Sequence, residues 1–228
     1  MKSSTHGAHL VKLTRFGTVN VFFVREEDGL TLVDTGMSGS AKAIQAAAAA
    51  LGAPIARIVL THGHDDHAGS LDALHAALPA VPVLVSGREA RLLDGDQAME
   101  PGEPPLGGGP IRKRATRPTT VLAPGDRVGS LEVHAAPGHT PGQIALLDTR
   151  DRTLIAGDAY VTLGGMQATG KAKWPFPFPT FFSWHRPTAL ASARALRALE
   201  PSRLAVGHGP VVESPAAAMD QALASAGA

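Results

Sequence analysis

Three histidines and two aspartates fall within six consecutive positions of this chain, in the sequence THGHDDHAG at residues 61–69. Protonated imidazoles repel one another, as carboxylates do, so such crowding is costly unless a positive ion lies among the side chains. The apolar run at 55–60 predicts a buried strand, and the apolar spacing at 69–78 predicts a helix. The cluster therefore lies on a loop between a strand and a helix, and it predicts a metal site.

The spacing within this histidine loop (residues 61–69) favours two metal ions. In an extended loop His62 and His64 point the same way, because alternate side chains share a face. Asp66 and His67 follow where the chain begins to coil, so they can face a second point. The spacing H-x-H-x-D-H is much more specific than a lone pair of ligands. The alternative is a polar surface loop that happens to contain histidines.

Three later residues able to bind a metal come directly after runs that predict strands. His139 lies in the turn PGHTPG after a β-rich run, Asp158 ends the run TLIAGD, and His208 follows the run LAVG. Because two nitrogen ligands leave a tetrahedral site incomplete, His139 is a candidate third ligand. This recurrence at strand ends predicts that the side chains converge on one edge of a sheet sandwich.

Asp34 also ends an apolar run, in the sequence LVDTG. Its carboxylate can orient a metal-bound histidine through a hydrogen bond. It can equally cap the helix that begins after Ser38. The residues alone leave both roles open.

Composition restricts the class of protein and of partner. The length of 228 residues suits a single domain over 1–228. The net charge of +1 argues against nucleic acid as a partner, and the absence of Cys leaves only nitrogen and oxygen as metal ligands. No secretory signal or membrane-spanning run is present, so we expect a cytoplasmic protein without a membrane partner. We expect the N-terminus, with His6 and His9, to be frayed.

Two long segments are predicted to be loops over the site. Residues 86–118 are rich in Gly and Pro, with a brief helical pattern at 88–93. This segment carries basic residues that suit either an anionic substrate or a solvated surface: Arg112, Lys113, Arg114 and Arg117.

The second segment, residues 160–187, follows Asp158 directly. Its stretch 173–184 holds six of the ten aromatic residues of the chain. Proline spacing displays these rings from a stiff extended loop, which suits a small-molecule substrate with an apolar part. The same rings are equally suited to packing on the sandwich or against a second copy of the chain in a homodimer.

Taken in order, the motifs LVDTG, H-x-H-x-D-H, PGHTPG, GD and GHG resemble the metallo-β-lactamase superfamily. The resemblance implies an α/β fold, an αβ/βα sandwich of two mixed sheets flanked by helices, with the site at one rim. It implies a first metal position formed by His62, His64 and His139, a second formed by Asp66, His67 and His208, and Asp158 as the bridge between them.

This resemblance implies metal-assisted hydrolysis. Two divalent ions share a bridging water, lower its pKa and hold it beside an electron-poor carbonyl or phosphorus. Asp66 or Asp158 is expected to carry the proton. Tyr160 is a candidate for stabilising an oxyanion, with packing within a strand as the alternative. Zn is the expected metal, and Mn, Fe and Co also suit nitrogen and oxygen ligands.

The predicted substrate is an ester, a lactone or a related acyl compound. β-Lactamases of this superfamily lack an aspartate at the position of Asp158. Thioesterases of the glyoxalase II type share the ligands but add a helical domain, whereas only about 20 residues follow His208 here. The alternatives are such a thioesterase, a phosphodiesterase or nuclease, which near-neutral charge disfavours, and a metal-binding protein without turnover.

Overall fold

Two mixed β-sheets lie at the centre of the fold in the computed structural model, which describes residues 1–169, 174 and 176–226. The first sheet has seven strands, namely β1 (Lys2–His6), β2 (Leu10–Arg15), β3 (Val19–Glu26), β4 (Gly29–Val33), β5 (Ile55–Val59), β6 (Val83–Ser86) and β7 (Thr120–Leu122). They lie side by side in chain order, antiparallel from β1 to β4 and parallel from β4 to β7.

The later strands form the second sheet and one separate pair. They are β8 (Arg127–Val128), β9 (Leu131–Ala135), β10 (Ile144–Asp148), β11 (Thr153–Ile155), β12 (Tyr160–Val161), β13 (Gln167–Ala168), β14 (Arg203–Ala205) and β15 (Val212–Glu213). The second sheet has the order β15-β14-β11-β10-β9-β8, in which only β11 and β14 are parallel neighbours. The strands β12 and β13 pair with each other.

The described residues also form seven helices. They are α1 (Ala41–Ala50), α2 (Asp65–Ala68), α3 (Leu71–Ala77), α4 (Gly87–Asp94), α5 (Phe178–Phe181), α6 (Arg186–Ala198) and α7 (Ala216–Ala226). Buried residues of α1, α3 and α4 share one apolar core with the first sheet. Leu196 of α6 and Met219 of α7 share another core with Leu147 and Leu154 of the second sheet. The predicted αβ/βα sandwich is confirmed.

Strand β3, which lies between β2 and β4 in the first sheet, shows why an apolar run, and not an alternating one, marks the core of this sandwich. Val21 and Phe23 pack towards the helices, whereas Phe22 and Val24 pack towards the second sheet. Successive side chains of a strand point to opposite faces. Both faces of β3 are buried, so both sets must be apolar.

The N-terminus differs from the expectation that it would be frayed. Residues Lys2–His6 form β1, which pairs with β2 in register from Lys2 with Thr14 to His6 with Leu10. The sequence KSSTH lacks apolar alternation because β1 is an edge strand whose side chains are mostly exposed, so the pattern gave no signal. His9 lies in the turn between β1 and β2, where its carbonyl accepts a hydrogen bond from the amide of Arg25.

The segments predicted as loops contain short regular elements. In 86–118, α4 begins after Ser86, whose hydroxyl accepts the amide hydrogen of Glu89 as a helix cap. In 160–187 the described residues include β12, β13 and α5. Lys173 and Pro175 of the aromatic stretch lie outside the described residues. Among the described residues, none of the helices has the length and apolar character that crossing a membrane requires.

Candidate metal centre

The loops after β4, β5, β9, β11 and β14 meet at one edge of the sandwich. There the structure brings together seven of the residues singled out in the sequence. Their possible ligand atoms form three groups, each within 4.8 Å of one another: His62, His64 and His139; His62, His67 and Asp158; Asp66, His67 and His208. Six of the seven side chains belong to buried residues, and Asp66 is half-buried. The predicted convergence of strand ends is therefore found at this edge.

Asp158 lies between the two predicted metal positions. Its Oδ2 is 3.4 Å from Nε2 of His139 and 3.2 Å from Nε2 of His208. Its Oδ1 is 3.4 Å from Nε2 of His67. Asp66 faces the second position, with Oδ2 3.3 Å from Nε2 of His208. One carboxylate thus faces both positions, and the other faces one.

Buried polar atoms in this cluster fit cations. Nε2 of His62, Nε2 of His67 and Oδ1 of Asp158 are buried and have no hydrogen-bond partner among the described residues. Polar atoms buried in this way cost free energy unless something compensates them. Nδ1 of His64 also lies 2.9 Å from Nε2 of His139. Imidazole nitrogens and carboxylate oxygens are donors that divalent metals accept, so the residues present fit two such ions.

Asp34 orients two of these imidazoles. Its Oδ1 accepts the amide hydrogen of Thr61 at 2.7 Å, and its Oδ2 lies 2.8 Å from the Thr61 hydroxyl and 2.8 Å from Nδ1 of His67. Because the Thr61 hydroxyl donates to Asp34, its oxygen accepts the Nδ1 hydrogen of His62 at 3.1 Å. Helix α1 begins at Ala41 and has Ser40, not Asp34, as its N-cap residue. The orienting role of Asp34, and not the capping role, is the one that the geometry supports.

Backbone carbonyls orient two more rings. Nδ1 of His208 lies 3.0 Å from the carbonyl oxygen of Thr18, and Nε2 of His64 lies 3.2 Å from that of Gly109. A carbonyl oxygen can only accept, so each of these ring nitrogens carries the hydrogen. The opposite nitrogen, Nε2 of His208 and Nδ1 of His64, is then the one that faces the centre.

Ser183 orients the fifth ring. Its hydroxyl donates to the carbonyl of Pro179 at 2.7 Å, so its oxygen accepts the Nδ1 hydrogen of His139 at 3.0 Å. The amide of Trp184 also donates to the carbonyl of His139 at 2.9 Å. The aromatic segment after α5 is therefore tied directly to the turn that carries His139.

The first position is neutral in the metal-free protein. Burial lowers the pKa of His62, and the neighbouring His67 lowers it further. Burial also lowers the pKa of His64. For His139, burial and the adjacent His64 lower the pKa to about 3. These three nitrogens therefore carry free lone pairs at neutral pH.

The second position is charged in the metal-free protein. Burial acts to lower the pKa of His208, but Asp158 and Asp66 outweigh burial and raise this pKa to about 9. Against the same effect of burial, Asp158 and Asp34 raise the pKa of His67 above its usual value. Burial acts to raise the pKa of both Asp66 and Asp158, but the histidines hold it below the usual range. The protonated histidines therefore carry positive charge at the position where the second cation would bind.

A cavity of about 480 Å³ opens beside the centre. Its described lining residues are Met37, Ser38, His64, Asp65, Asp66, Gly109, Pro110, His139, Asp158, Phe176, Phe178, Pro179, Phe182 and His208. The ring of Phe176 lies 5.2 Å from that of His208 and 5.5 Å from that of Phe178. The cavity thus has an acidic and imidazole floor and an aromatic wall, and its described lining contains no Lys or Arg.

The basic cluster of 112–117 is engaged in ion pairs. Nε of Arg112 lies 2.8 Å from Asp65, and Arg114 pairs with the same carboxylate. Nζ of Lys113 lies 3.5 Å from Asp94, with which Arg117 also pairs. Although Asp65 borders the cavity, none of the four cations lines it. Of the two roles left open for these residues, contact with an anionic substrate is therefore the one that their positions do not support.

Tyr160 is not brought to the cavity. It is fully buried in the core beneath α6, and its hydroxyl donates to the carbonyl of Ala193 at 2.7 Å. Burial raises the pKa of Tyr160. The hydroxyl hydrogen is already used, so the position of Tyr160 fits the packing alternative and not the stabilisation of an oxyanion.

Glu89 is a buried residue that the sequence did not single out. Its side chain is fully buried on α4, where burial raises its pKa to about 7 against hydrogen bonds from Gly63, Thr140 and Gly142. A glutamate in the first turn of a helix is usually exposed, so the sequence gives no reason to single out Glu89. Thr18 and Gly109 orient histidines through backbone carbonyls. Every residue has a carbonyl, so no sequence pattern marks these two.

Comparisons with known proteins agree with this geometry. The family profile described as the metallo-beta-lactamase superfamily matches residues 14–208. The uncharacterized protein YobT of Bacillus subtilis (strain 168) is 45% identical over 210 residues, which cover 91% of this chain and 90% of YobT. The probable metallo-hydrolase YflN of the same organism is 31% identical over 213 residues, with 83% and 80% covered.

A solved structure is similar over nearly its whole length. The crystal structure of TTHA1623 in a di-iron-bound form superposes with a TM-score of 0.66 at 27% identity, covering 92% of this chain and 97% of that one. The di-iron-bound form is that of the solved structure. The matched profile, the relatives and the shared fold together show that this chain belongs to the metallo-beta-lactamase superfamily and is a metallo-hydrolase.

Proposed function

We propose that this protein is a dinuclear hydrolase that cleaves an ester, a lactone or a related acyl compound with an apolar part. The observation that carries the proposal is the pairing of a buried His/Asp centre with an aromatic cavity wall in one space of about 480 Å³. Apolar pockets with a few convergent polar groups are typical of small-molecule sites. A phosphodiester or a glutathione thioester carries anionic groups, and the described lining offers them no Lys or Arg.

In this proposal His62, His64 and His139 would hold one divalent cation, Asp66, His67 and His208 would hold the second, and Asp158 would contribute to both. When bound, the two cations supply Lewis acidity and lower the pKa of water in the site. Zn is our expected metal, although nitrogen and oxygen donors also suit Mn, Fe and Co. The hydrogen bonds on the outer nitrogens would hold each imidazole in the tautomer that a metal requires.

Asp66 is the proposed proton carrier. It borders the cavity, and its side chain retains 35% of its exposure, whereas that of Asp158 retains 3%. The pKa of Asp66 lies below its usual value, so the carboxylate is ionised and can accept a proton from attacking water. The same carboxylate can then deliver that proton to the oxygen that leaves.

The aromatic wall is the proposed site for the apolar part of the substrate. Phe176, Phe178 and Phe182 line the cavity, and Phe176 packs near His208. Each methylene that a substrate buries against such a wall contributes about 0.8 kcal/mol. Turnover should therefore improve as the acyl chain lengthens, until the cavity is filled.

Kinetics on a substrate series tests the proposal. The metal-loaded protein is assayed with aryl esters and lactones of increasing acyl length, a glutathione thioester and a bis-aryl phosphate. We expect kcat/KM to rise with acyl length and to exceed that for the two anionic substrates. Faster cleavage of bis-aryl phosphate, or no dependence on acyl length, would overturn it.

Helix α5 offers a matched pair of variants for the same assay. Phe178 and Phe181 are 50% and 56% exposed, but only Phe178 lines the cavity. Phe178→Ala should lower kcat/KM for the longest substrate by about 5- to 30-fold, corresponding to roughly 1–2 kcal/mol of lost contact. Phe181→Ala should change it less than twofold. Equal effects of the two variants would contradict the proposed binding wall.

A further inference from the structure

Glu89 is a carboxylate buried in the first turn of α4, with 0% exposure. Burying a carboxylate costs free energy unless hydrogen bonds compensate it. Leu92 and Leu93 on the same helix are also buried, and both have apolar side chains. A carboxyl group at this position therefore calls for an explanation other than packing.

Three hydrogen bonds to Glu89 come from two separate loops. Its Oε1 accepts the amide hydrogen of Gly63 at 2.7 Å, inside the histidine loop. Its Oε2 accepts the hydroxyl hydrogen of Thr140 at 2.9 Å and the amide hydrogen of Gly142 at 3.1 Å, both in the turn that carries His139. One carboxylate thus joins both loops that bear ligands of the first position.

Both loops approach α4 closely, and at Gly142 only glycine fits. A Cβ atom on Gly63 would lie 3.0 Å from Oε1 of Glu89, and one on Gly142 would lie 2.4 Å from the Glu89 amide nitrogen. The hydroxyl of Ser86, which caps α4, also donates to the carbonyl of Gly142. The start of α4 is therefore seated directly on these two loops.

We propose that Glu89 is a positioning residue that sets the spacing between the two halves of the first metal position. His64 comes directly after Gly63, and His139 comes directly before Thr140, so two of the three hydrogen bonds act one residue away from a ligand. The third, from Gly142, acts three residues from His139. The facing nitrogens of the two histidines lie 2.9 Å apart. The inference rests on the proposed metal centre and adds that Glu89 determines its affinity for the first cation.

The test is Glu89→Gln, which keeps size and shape but changes the hydrogen-bonding groups. A glutamine amide has one acceptor oxygen and one NH₂ group, and NH₂ cannot accept from an N–H or O–H donor. Glutamine can therefore hold one loop but not both. The effect is measured by calorimetric titration with Zn²⁺ in two backgrounds, His208→Ala to weaken the second position and His64→Ala to weaken the first.

In the His208→Ala background we expect Glu89→Gln to weaken Zn²⁺ binding about 10- to 100-fold, the range found when supporting hydrogen bonds of metal ligands are removed. In the His64→Ala background we expect a change below threefold. Thr140→Val removes one hydrogen bond without altering the buried carboxylate. Thr140→Val should also weaken Zn²⁺ binding at the first position, by a smaller factor. It replaces Glu89→Gln as the test if that variant does not fold.

Asp72→Asn is the matched control. Asp72 also accepts backbone hydrogens, from Ala115 at 3.2 Å and Thr116 at 2.8 Å, but the segment it holds carries no proposed ligand. The Asp72→Asn variant should lower the melting temperature and leave the Zn²⁺ affinities of both positions unchanged. Equal weakening of both positions by Glu89→Gln, or a lower melting temperature with unchanged affinities, would overturn the role of Glu89. Absence of Zn²⁺ binding in both parent backgrounds would overturn the metal centre itself.

Discussion

Oδ2 of Asp34 lies 2.8 Å from Nδ1 of His67, and both side chains are buried. Asp34 is separated from His67 by 33 positions along the chain. It adopts a left-handed backbone conformation with φ of 63°, at the exit from β4. The carboxylate thus reaches across to the histidine loop, and His67 turns its Nε2 towards Asp158 and Asp66.

Asp34→Asn should weaken the second metal position. Asparagine tolerates a left-handed backbone, so the turn can be retained. Its side chain has one acceptor oxygen, so it cannot accept both the amide hydrogen of Thr61 and the Nδ1 hydrogen of His67, and one of the two contacts that fix the ring is lost. We expect Zn²⁺ affinity at the second position to fall about 10- to 100-fold, measured by titration. An affinity equal to that of the unchanged protein would contradict the orienting role of Asp34.

Gly207→Ala should abolish binding of the second cation. A Cβ atom at Gly207 would lie 2.2 Å from Oδ1 of Asp158 and 2.5 Å from Cε1 of His67. Neither side chain can retreat without leaving the centre. Metal content per chain should fall by about one, as measured by elemental analysis. Gly107→Ala is the control, because nothing lies within 4 Å of a Cβ there, and its metal content should be unchanged.

Ser183→Ala should weaken the first metal position. The change leaves the Nδ1 hydrogen of His139 without its acceptor in a buried place, which costs about 1–3 kcal/mol and frees the ring to turn. We expect Zn²⁺ affinity at this position to fall about tenfold, the lower end of the range for such supporting groups. Ser183→Thr retains a hydroxyl and should bind more tightly than Ser183→Ala. The reverse order of the two variants would show that the hydroxyl does not orient His139.

The two positions should respond differently to pH. The pKa of His208 is raised to about 9, so at pH 7 a cation must displace its proton. The pKa of His139 is lowered to about 3, so no proton is displaced there. Affinity at the second position should therefore rise about tenfold per pH unit for each proton displaced, up to about pH 9, while the first stays flat.

Calorimetry in two buffers of different ionisation enthalpy measures the protons released at each position. At pH 7 we expect release on filling the second position and none on filling the first. The His208→Ala and His64→Ala variants allow binding at each position to be measured separately. His208 is unchanged in His64→Ala, so the proton that it releases when metal binds is still measured. Equal proton release in both would contradict the assignment of neutral and charged halves.

The strands that end at the metal centre and the histidine loop could be predicted from sequence, because both are local patterns. The apolar runs that form β4, β5, β11 and β14, and the ligand spacing in the loop after β5, lie within about ten residues. The edge strand β1 has no such pattern and was missed. The short helix α4 was predicted only as a brief helical pattern within a loop.

Contacts between distant residues decided the rest. Proximity to Asp158 in the chain suggested a catalytic role for Tyr160, but its hydroxyl bonds to Ala193 in the core beneath α6. In the sequence Glu89 resembles a surface residue of a helix. In the structure it accepts hydrogen bonds from one loop 26 positions earlier in the chain and from another more than 50 positions later.

The sequence by itself determined which side chains can bind metal and that they end strands, because ligand chemistry and apolar periodicity are properties of short segments. Only the tertiary structure decided how those side chains are oriented. His64 and His139 meet across 75 positions, and the partners of their outer nitrogens are a backbone carbonyl and a serine from other loops. Such pairings depend on how the two sheets and α4 pack, and packing joins residues that no local pattern connects.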